Sequence, residues 1–281
     1  MTDEHAITAP IAYLADNELS PEIRVYPPAS GKPSETPVNL HRDMLIEDIR
    51  NWAQAPTLDV QGFELHRHMS ACSDFYDDAL VKRDYYPEAA AAMQEFTGAL
   101  AVFVFDHNVR SAVRAAQGQY GVRVPVDAAH VDYTAATGPK RTLEILEQFG
   151  RMDLAANRAA LVNLWRPITG PVLDVPLALC DVRTVKQNEL IDTAILHYTE
   201  TSMDQPGHAG GIYSLHYSPG HRWAYVPAMQ KDEVLLLKCY DSYGGGSGGF
   251  TPHTGFKNPA CPPEFVPRES IEVRTLVIYP E

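Results

Sequence analysis

Six short apolar runs follow one another in the second half of the chain. They are AALVNLW (Ala159 to Trp165), LALCDV (Leu177 to Val182), GIYSLHY (Gly211 to Tyr217), RWAYV (Arg222 to Val226), VLLLKCY (Val234 to Tyr240) and IEVRTLVIY (Ile271 to Tyr279). Each reads as a β-strand, and turns rich in Pro, Gly and Asp separate them. Strands in such succession close into a sandwich or a barrel. The first half is different. Ser73 to Leu100 reads as helical, with Ser73 or Asp74 as cap and Pro87-Glu88 opening the piece PEAAAAMQEFTGAL. Ala101 to Asp106 (AVFVFD) reads as a buried strand, and GPKRTLEILEQF (Gly138 to Phe149) as a further helix. The fold class expected is therefore α+β with a mainly β core: a jelly-roll of cupin-like, double-stranded β-helix type, flanked by helices.

No linker, repeat or low-complexity stretch divides the chain, so residues 1–281 are expected to form one domain. Residues 1–60 hold many prolines and read as a meandering arm with a short strand or two, as at Ile23 to Tyr26. Residues 61–122 read as mainly helical support, and 123–281 as the jelly-roll core with a helix inserted at 138–150. Within the arm, Met44, Leu45, Ile46 and Ile49 are near helical spacing, which predicts a short helix with Asp43 at its start. The run Gly244 to Gly249 (GGGSGG) reads as a loop. It lacks the Lys-Ser/Thr of a phosphate loop.

Composition removes several function classes. The formal net charge is -13, from 23 basic and 36 acidic residues, which argues against a nucleic-acid partner. No apolar run is long enough to span a bilayer. The acidic N-terminus does not read as a signal peptide. Cys72, Cys180, Cys239 and Cys261 form no C-x-x-C pair and read as free thiols of a cytoplasmic protein.

Chemistry enters with His130-Val131-Asp132, in the strand-like stretch Arg123 to Thr134. Residues two apart on a strand share a face, so His130 and Asp132 can turn toward one metal ion. Two histidines and one carboxylate with open positions suit a non-haem Fe(II) oxygenase. His41-Arg42-Asp43 repeats the triplet but lies in the expected helix. His66 and His68 are also two apart, next to a polar helix start. Between Asp132 and His253 lie His197, His208, His216 and His221, all competing for the third ligand. We favour His253, followed by His216, because Arg268-Glu269-Ser270 comes fifteen residues after His253. A guanidinium grips a carboxylate with two parallel bonds and a serine adds a donor, so Arg268 and Ser270 suit a dicarboxylate cosubstrate. Arg268 also has Glu264, Glu269 and Glu272 as alternative surface partners.

Several stretches together resemble one family. They are FDHNVR (Phe105 to Arg110), HVDYT (His130 to Thr134), NLWRPI (Asn163 to Ile168), PLALCD (Pro176 to Asp181), HRWAYVPAMQKDEVLLLKCYDS (His221 to Ser242) and PRESIEVR (Pro267 to Arg274). The chain resembles the hydroxylase/desaturase family of fungal and bacterial secondary metabolism, which includes gibberellin desaturase-like proteins and relatives of the cephamycin 7α-methoxylation component. The resemblance covers about two thirds of the chain, with little in residues 1–60. It implies an oxidoreductase with a double-stranded β-helix that uses Fe(II), 2-oxoglutarate and dioxygen. His130, Asp132 and His253 would be the metal ligands, and Arg268 with Ser270 would hold the distal carboxylate of 2-oxoglutarate. Decarboxylation to succinate would drive hydroxylation, desaturation or cyclisation of a small-molecule substrate. Arg110, Arg166 and Arg222, beside apolar strands, and Tyr133, Trp165 and Tyr225 are the candidate substrate contacts. A homodimer is compatible with the sequence. Two other readings remain open here: a cupin-like metalloenzyme that does not use 2-oxoglutarate, and a non-catalytic partner subunit.

Overall fold

The computed structural model describes residues 6–18, 20–27, 30–244 and 246–280. The chain begins with three strands, β1 (Ala6–Leu14), β2 (Glu22–Val25) and β3 (Asn39–Asp48), then β4 (Phe63–Arg67). A helical turn α1 (Asp78–Leu80), a π-helical stretch (Val81–Tyr85) and α2 (Tyr86–Thr97) run on from one another before β5 (Ala101–Ser111). Then come α3 (Ala112–Ala116), β6 (Val122–Arg123), β7 (His130–Val131) and α4 (Thr137–Gln148). The rest is β: β8 (Ala159–Pro167), β9 (Leu177–Cys180), β10 (Leu190–His197), β11 (His208–Leu215) and β12 (Trp223–Tyr225), then β13 (Glu233–Asp241), β14 (His253–Gly255) and β15 (Glu269–Ile278).

Two sheets result. One has nine strands in the order β1-β3-β12-β9-β14-β7-β11-β10-β2; the other has six, β4-β13-β8-β15-β5-β6. Their facing sides enclose a core that includes Ile11, Tyr13, Ile46, Phe63, Trp165, Leu179, Trp223 and Leu237. This is the expected jelly-roll. The outer side of the six-stranded sheet is covered by the helical segment, where Val81, Tyr85, Ala89 and Met93 meet Val162, Leu164, Val273 and Val277. Helix α4 closes one end of the sandwich, setting Ile145 and Leu146 against Leu161, Leu276 and Ile278. Burial of these apolar faces is the main force holding the layers together.

The structure corrects four local expectations. Residues 44–48 are strand, not helix: β3 pairs antiparallel with β1 (Ala6 opposite Glu47) and parallel with β12 (Ile46 beside Trp223). Met44 and Ile46 are buried while Leu45 between them is 52% exposed, a period of two that three consecutive apolar letters conceal. Residues 1–60 are accordingly no mere arm, since β1 and β3 are long strands of the larger sheet. The helical segment starts at Asp78, capped by the Asp77 side chain rather than by Ser73 or Asp74. Finally, 123–134 is not one strand: Val122–Arg123 belongs to the six-stranded sheet and His130–Val131 to the nine-stranded one, so the chain crosses between sheets in this stretch.

Gly62 enters β4 at φ +90°, and its carbonyl accepts from Lys238 N at 2.8 Å and Thr251 Oγ1 at 2.9 Å. A Cβ here would collide with Thr251 Oγ1 and come within 2.7 Å of Val182 Cγ1. Gly62→Ala should therefore lower unfolding stability by about 3 kcal/mol, combining the left-handed penalty with overpacking. Denaturant titration checks this, and a loss below about 1 kcal/mol would contradict the clash.

Candidate metal centre and cosubstrate pocket

The inward face of the six-stranded sheet is unusually polar for a core. Alternation along β15 turns Ser270, Glu272 and Arg274 to the same side, in line with Arg268 just before the strand. Register then sets a partner on each flank. Ser270 lies between Arg110 and Pro167, Glu272 between Asn108 and Trp165, and Arg274 between Asp106 and Asn163. Facing these rows, the nine-stranded sheet places His130 of β7 directly opposite His253 of β14. Asp132 comes one residue after β7.

His130, Asp132 and His253 each offer one ligand atom, all within 4.8 Å of one another. The two rings lie 4.5 Å apart, centroid to centroid. Each ring is braced from behind. His130 Nδ1 is 2.8 Å from the Ala128 carbonyl oxygen and His253 Nδ1 is 3.1 Å from that of Thr251. A carbonyl can only accept, so Nδ1 carries the proton in both rings and Nε2 keeps its lone pair for the centre. Asp132 is held in the same way. Its Oδ2 accepts from Asn163 Nδ2 at 2.8 Å and Arg274 Nε at 3.2 Å, while Oδ1 is 3.5 Å from His130 Nε2. The donor set of two imidazole nitrogens and one carboxylate oxygen fits a divalent first-row metal.

Electrostatics agree with that use. Burial works to raise the Asp132 pKa, but the charge of Arg274, whose Nε donates to it, holds its carboxyl well below the ordinary range. His253 is pushed down to about 3, first by burial and then by the neighbouring His130. It thus stays neutral in the native state from about pH 6.5, where the unfolded chain's histidine begins to take up a proton, down to about pH 3. A depressed native pKa means stability that is present above pH ~6.5 and lost as pH falls toward the native value. For the metal-free protein, His253 should cost about 2 kcal/mol between pH 6.5 and pH 5, one pKa unit being about 1.4 kcal/mol. Comparing the pH dependence of unfolding in wild type and His253→Gln tests this, and parallel curves would refute it.

Arg268 is 4% exposed, with its guanidinium over the Trp165 ring at 4.9 Å. Nε donates to Ser270 Oγ at 3.1 Å and Nη1 to the Val175 carbonyl at 2.8 Å. Its backbone N–H donates to both Asp174 carboxylate oxygens at 3.1 Å, but among the described residues no carboxylate pairs with its guanidinium within 4.0 Å. Burial, and then the charge of Arg110, push its pKa down to about 9. This is a buried cation whose guanidinium has no direct ion pair and is offset only at longer range by Asp174 and Glu272. Gly255 keeps the corner open, since a Cβ there would stand 2.9 Å from the Val126 carbonyl oxygen and 3.4 Å from Arg268 Nη1. A narrow cavity runs from His130, Asp132 and His253 past Trp165 and Glu272 to Arg268. Next to it opens a cleft of about 690 Å³, and Arg110, Val126, His130 and Asp132 border both.

Arg110 borders both spaces and Tyr133 lines the cleft. Trp165 lines the narrow cavity. Arg166 is not there: next to inward Trp165 on β8 it points outward, donating to the His68 carbonyl at 2.9 Å between the rings of Phe75 and Tyr85. Arg222 is not there either. It forms a two-bond ion pair with Glu47 (2.9 and 2.6 Å) over the Trp52 ring. Tyr225 packs on Phe256 in the core. His41 and Asp43 are exposed on β3, and His66 binds Glu64 and stacks on Phe96. His216 is on the β1 side of the sheet, bridged to Leu14; His221 is locked between Glu189 (3.0 Å) and Tyr13 (3.2 Å). His197 and His208 line the outer cleft. The sequence reading gave no role to Asn163 or Arg274, and took Glu272 only as a surface partner of Arg268. The available signal was a polar residue inside otherwise apolar strand runs, which in a core must face a partner.

Comparison with known proteins identifies the family. A family model described as "Oxidoreductase/YMDC permease-like domain" matches residues 11–278. Hydroxylase/desaturase efuI of Hormonema carpetanum is 32% identical over 250 residues, covering 84% of this chain and 83% of its own. The chain belongs to the hydroxylase/desaturase family of Fe(II)/2-oxoglutarate-dependent oxygenases. Within this family, the Fe(II)/2-oxoglutarate-dependent dioxygenase nvfI of Aspergillus novofumigatus is 33% identical over 201 residues, 72% of this chain and 68% of its own. The solved iron and α-ketoglutarate-dependent endoperoxidase NvfI superposes with a TM-score of 0.83 at 26% identity, over 99% of this chain and all of that one. Despite the word permease in the family model's description, no described helix of this hydroxylase/desaturase is long and apolar enough to cross a membrane.

Proposed function

We propose that this family member oxidises a small molecule using Fe(II), 2-oxoglutarate and dioxygen. In this reading His130, Asp132 and His253 hold the metal, and Arg268 with Ser270 hold the distal carboxylate of 2-oxoglutarate. One observation carries it: three ligand atoms converge, the second polar atom of each side chain tied to Ala128, Thr251, or Asn163 and Arg274, while an arginine whose guanidinium has no ion pair lies across a narrow cavity. Bound there, the iron and its cosubstrates would supply the oxidant that removes a hydrogen atom from substrate as 2-oxoglutarate becomes succinate.

The chain's own side chains do the rest. The backbone carbonyls fix both imidazoles in the tautomer that presents Nε2. Asn163 and Arg274 keep Asp132 ionised and aimed. Trp165 forms an apolar wall under the Arg268 guanidinium and keeps water from it. The larger cleft receives the substrate, with Arg110 and Tyr133 against it. Its shape, rather than the metal centre, would set whether hydroxylation, desaturation or oxidative cyclisation follows. Relatives bear names of these kinds, from hydroxylase/desaturase to endoperoxidase, and one is an aspirochlorine biosynthesis protein. A secondary metabolite is the substrate class we favour. The four free cysteines fit a cytoplasmic location, and a homodimer remains within this reading.

Anaerobic titration of metal-free protein with Fe(II) and then 2-oxoglutarate tests the proposal. A visible charge-transfer band on the second addition is expected. Bound iron without that band would overturn the 2-oxoglutarate assignment, and no bound iron would overturn the metal assignment.

A further inference from the structure

The cleft beside the metal centre has a charge bias opposite to that of the whole chain. Five cationic side chains border it (Arg110, Arg123, Lys140, Arg141 and Arg274) against three acids, Asp127, Asp132 and Glu144. Most of these charges are already engaged. Arg274 serves Asp132 and Asp106, and Lys140 and Arg141 both lie against Glu144, at 3.8 and 3.2 Å. Arg110 and Arg123 are different. They stand side by side as register partners on the parallel pair β5 and β6, and so share the cleft face. Among the described residues neither has a carboxylate within 4.0 Å, and Asp127, four residues beyond Arg123, pairs with neither. Arg110 is braced by donating to the Val124 carbonyl at 2.7 Å, which leaves its remaining donors for the cleft. Part of the remaining wall is apolar, where Ile23, Val25, Ile195 and Ile212 face the same space beside polar Thr36, Asn39, His197 and His208.

Two adjacent like charges repel, and an anion placed between them removes that cost while gaining charge-assisted hydrogen bonds. We infer that Arg110 and Arg123 form an anion-binding subsite, and that the substrate is a mainly apolar molecule carrying one carboxylate. The volume of about 690 Å³ suits a molecule of roughly drug size. The acid end would anchor at the arginine pair and the apolar body would lie along the isoleucine wall, which brings one part of it over His130 and Asp132. This rests on the reading of His130, Asp132 and His253 as the reaction centre. It adds a recognition element that limits which carbon reaches that centre.

The test uses the full chain loaded anaerobically with Fe(II) and 2-oxoglutarate, so that Arg268 is occupied. Calorimetry compares 2-naphthoate with 2-naphthamide, a neutral probe of the same shape. The acid should bind roughly tenfold tighter than the amide, the gain of one charge-assisted contact over a neutral one. Arg123→Gln and Arg110→Gln should each bring the two probes to within about twofold of one another, whereas Lys140→Gln, whose charge is spent on Glu144, should preserve the preference. The charge-transfer band in the same samples reports cosubstrate loading and should persist in Arg123→Gln and Arg110→Gln. Equal affinity for the two probes in wild type, no binding of naphthoate, or a preference that survives both arginine changes would overturn the inference. So would Arg110→Gln that loses the 2-oxoglutarate band yet keeps the preference, since that arginine would then belong to the cosubstrate. If wild type gives no band at all, the proposed function fails, and the acid-to-amide ratio on the metal-free chain still decides the arginine pair.

Discussion

Asp132→Ala is expected to abolish Fe(II) binding and, with it, all consumption of 2-oxoglutarate. Asp132 is the one anionic member of the triad, because His130 and His253 present neutral Nε2 atoms. Removing it takes away both a ligand bond and the charge that offsets the metal's. Loss of a supporting hydrogen bond alone typically weakens metal affinity by about 10- to 100-fold, so loss of the ligand should exceed about 100-fold. The variant also strips Arg274 Nε and Asn163 Nδ2 of their shared acceptor, although Arg274 keeps Asp106 at 3.1 Å and Glu272 at 3.7 Å. The chain should therefore still fold. Iron content after anaerobic reconstitution and gel filtration is the measurement, with the unfolding temperature as control. A folded variant that retains one iron per chain would remove Asp132 from the ligand set.

That aspartate was legible in the sequence, and the reason is local. His-x-Asp next to a strand carries its geometry within three residues, and the stretch is held to that shape by the His130 bond to Ala128. The strands of the second half were legible for a similar reason, since a run such as VLLLKCY can only be satisfied in a buried sheet. What the sequence hid depends on partners distant along the chain. Residues 44–48 fit a helix template well; they became β3 because β1, some thirty-five residues earlier, and β12, about 180 later, offer edges on both sides. Arg166 and Trp165 are neighbours in sequence and opposites in space, and only knowing which sheet face is inward separates them. Asn163 and Arg274 lie 111 positions apart and meet at Asp132 solely through the β8–β15 register. The spacing to Arg268 favoured His253 over His216, but what sets His253 beside His130, the β7–β14 pairing, is encoded by no local pattern.

Arg268→Met should separate cosubstrate binding from folding. In the unliganded chain the Arg268 guanidinium is buried over Trp165, beside Arg110, with a serine oxygen and a carbonyl as its acceptors and no carboxylate among the described residues. Burying a charge so weakly compensated is unfavourable, which is why its pKa falls to about 9. Methionine fills similar space without that cost, so the unliganded variant should unfold at a temperature equal to or above wild type. Its affinity for 2-oxoglutarate should fall by about 100-fold or more, because truncating one partner of a buried, hydrogen-bonded charge pair costs about 2–5 kcal/mol. Fe(II) affinity should change little, since Arg268 touches none of the three ligands. Anaerobic titrations and thermal unfolding on the same preparations give all three quantities. A large drop in unfolding temperature with 2-oxoglutarate affinity unchanged would mean that Arg268 is a structural cation satisfied by Ser270 and Val175. The opposite pattern would identify a side chain kept at the expense of stability because the cosubstrate, and not the fold, needs its charge.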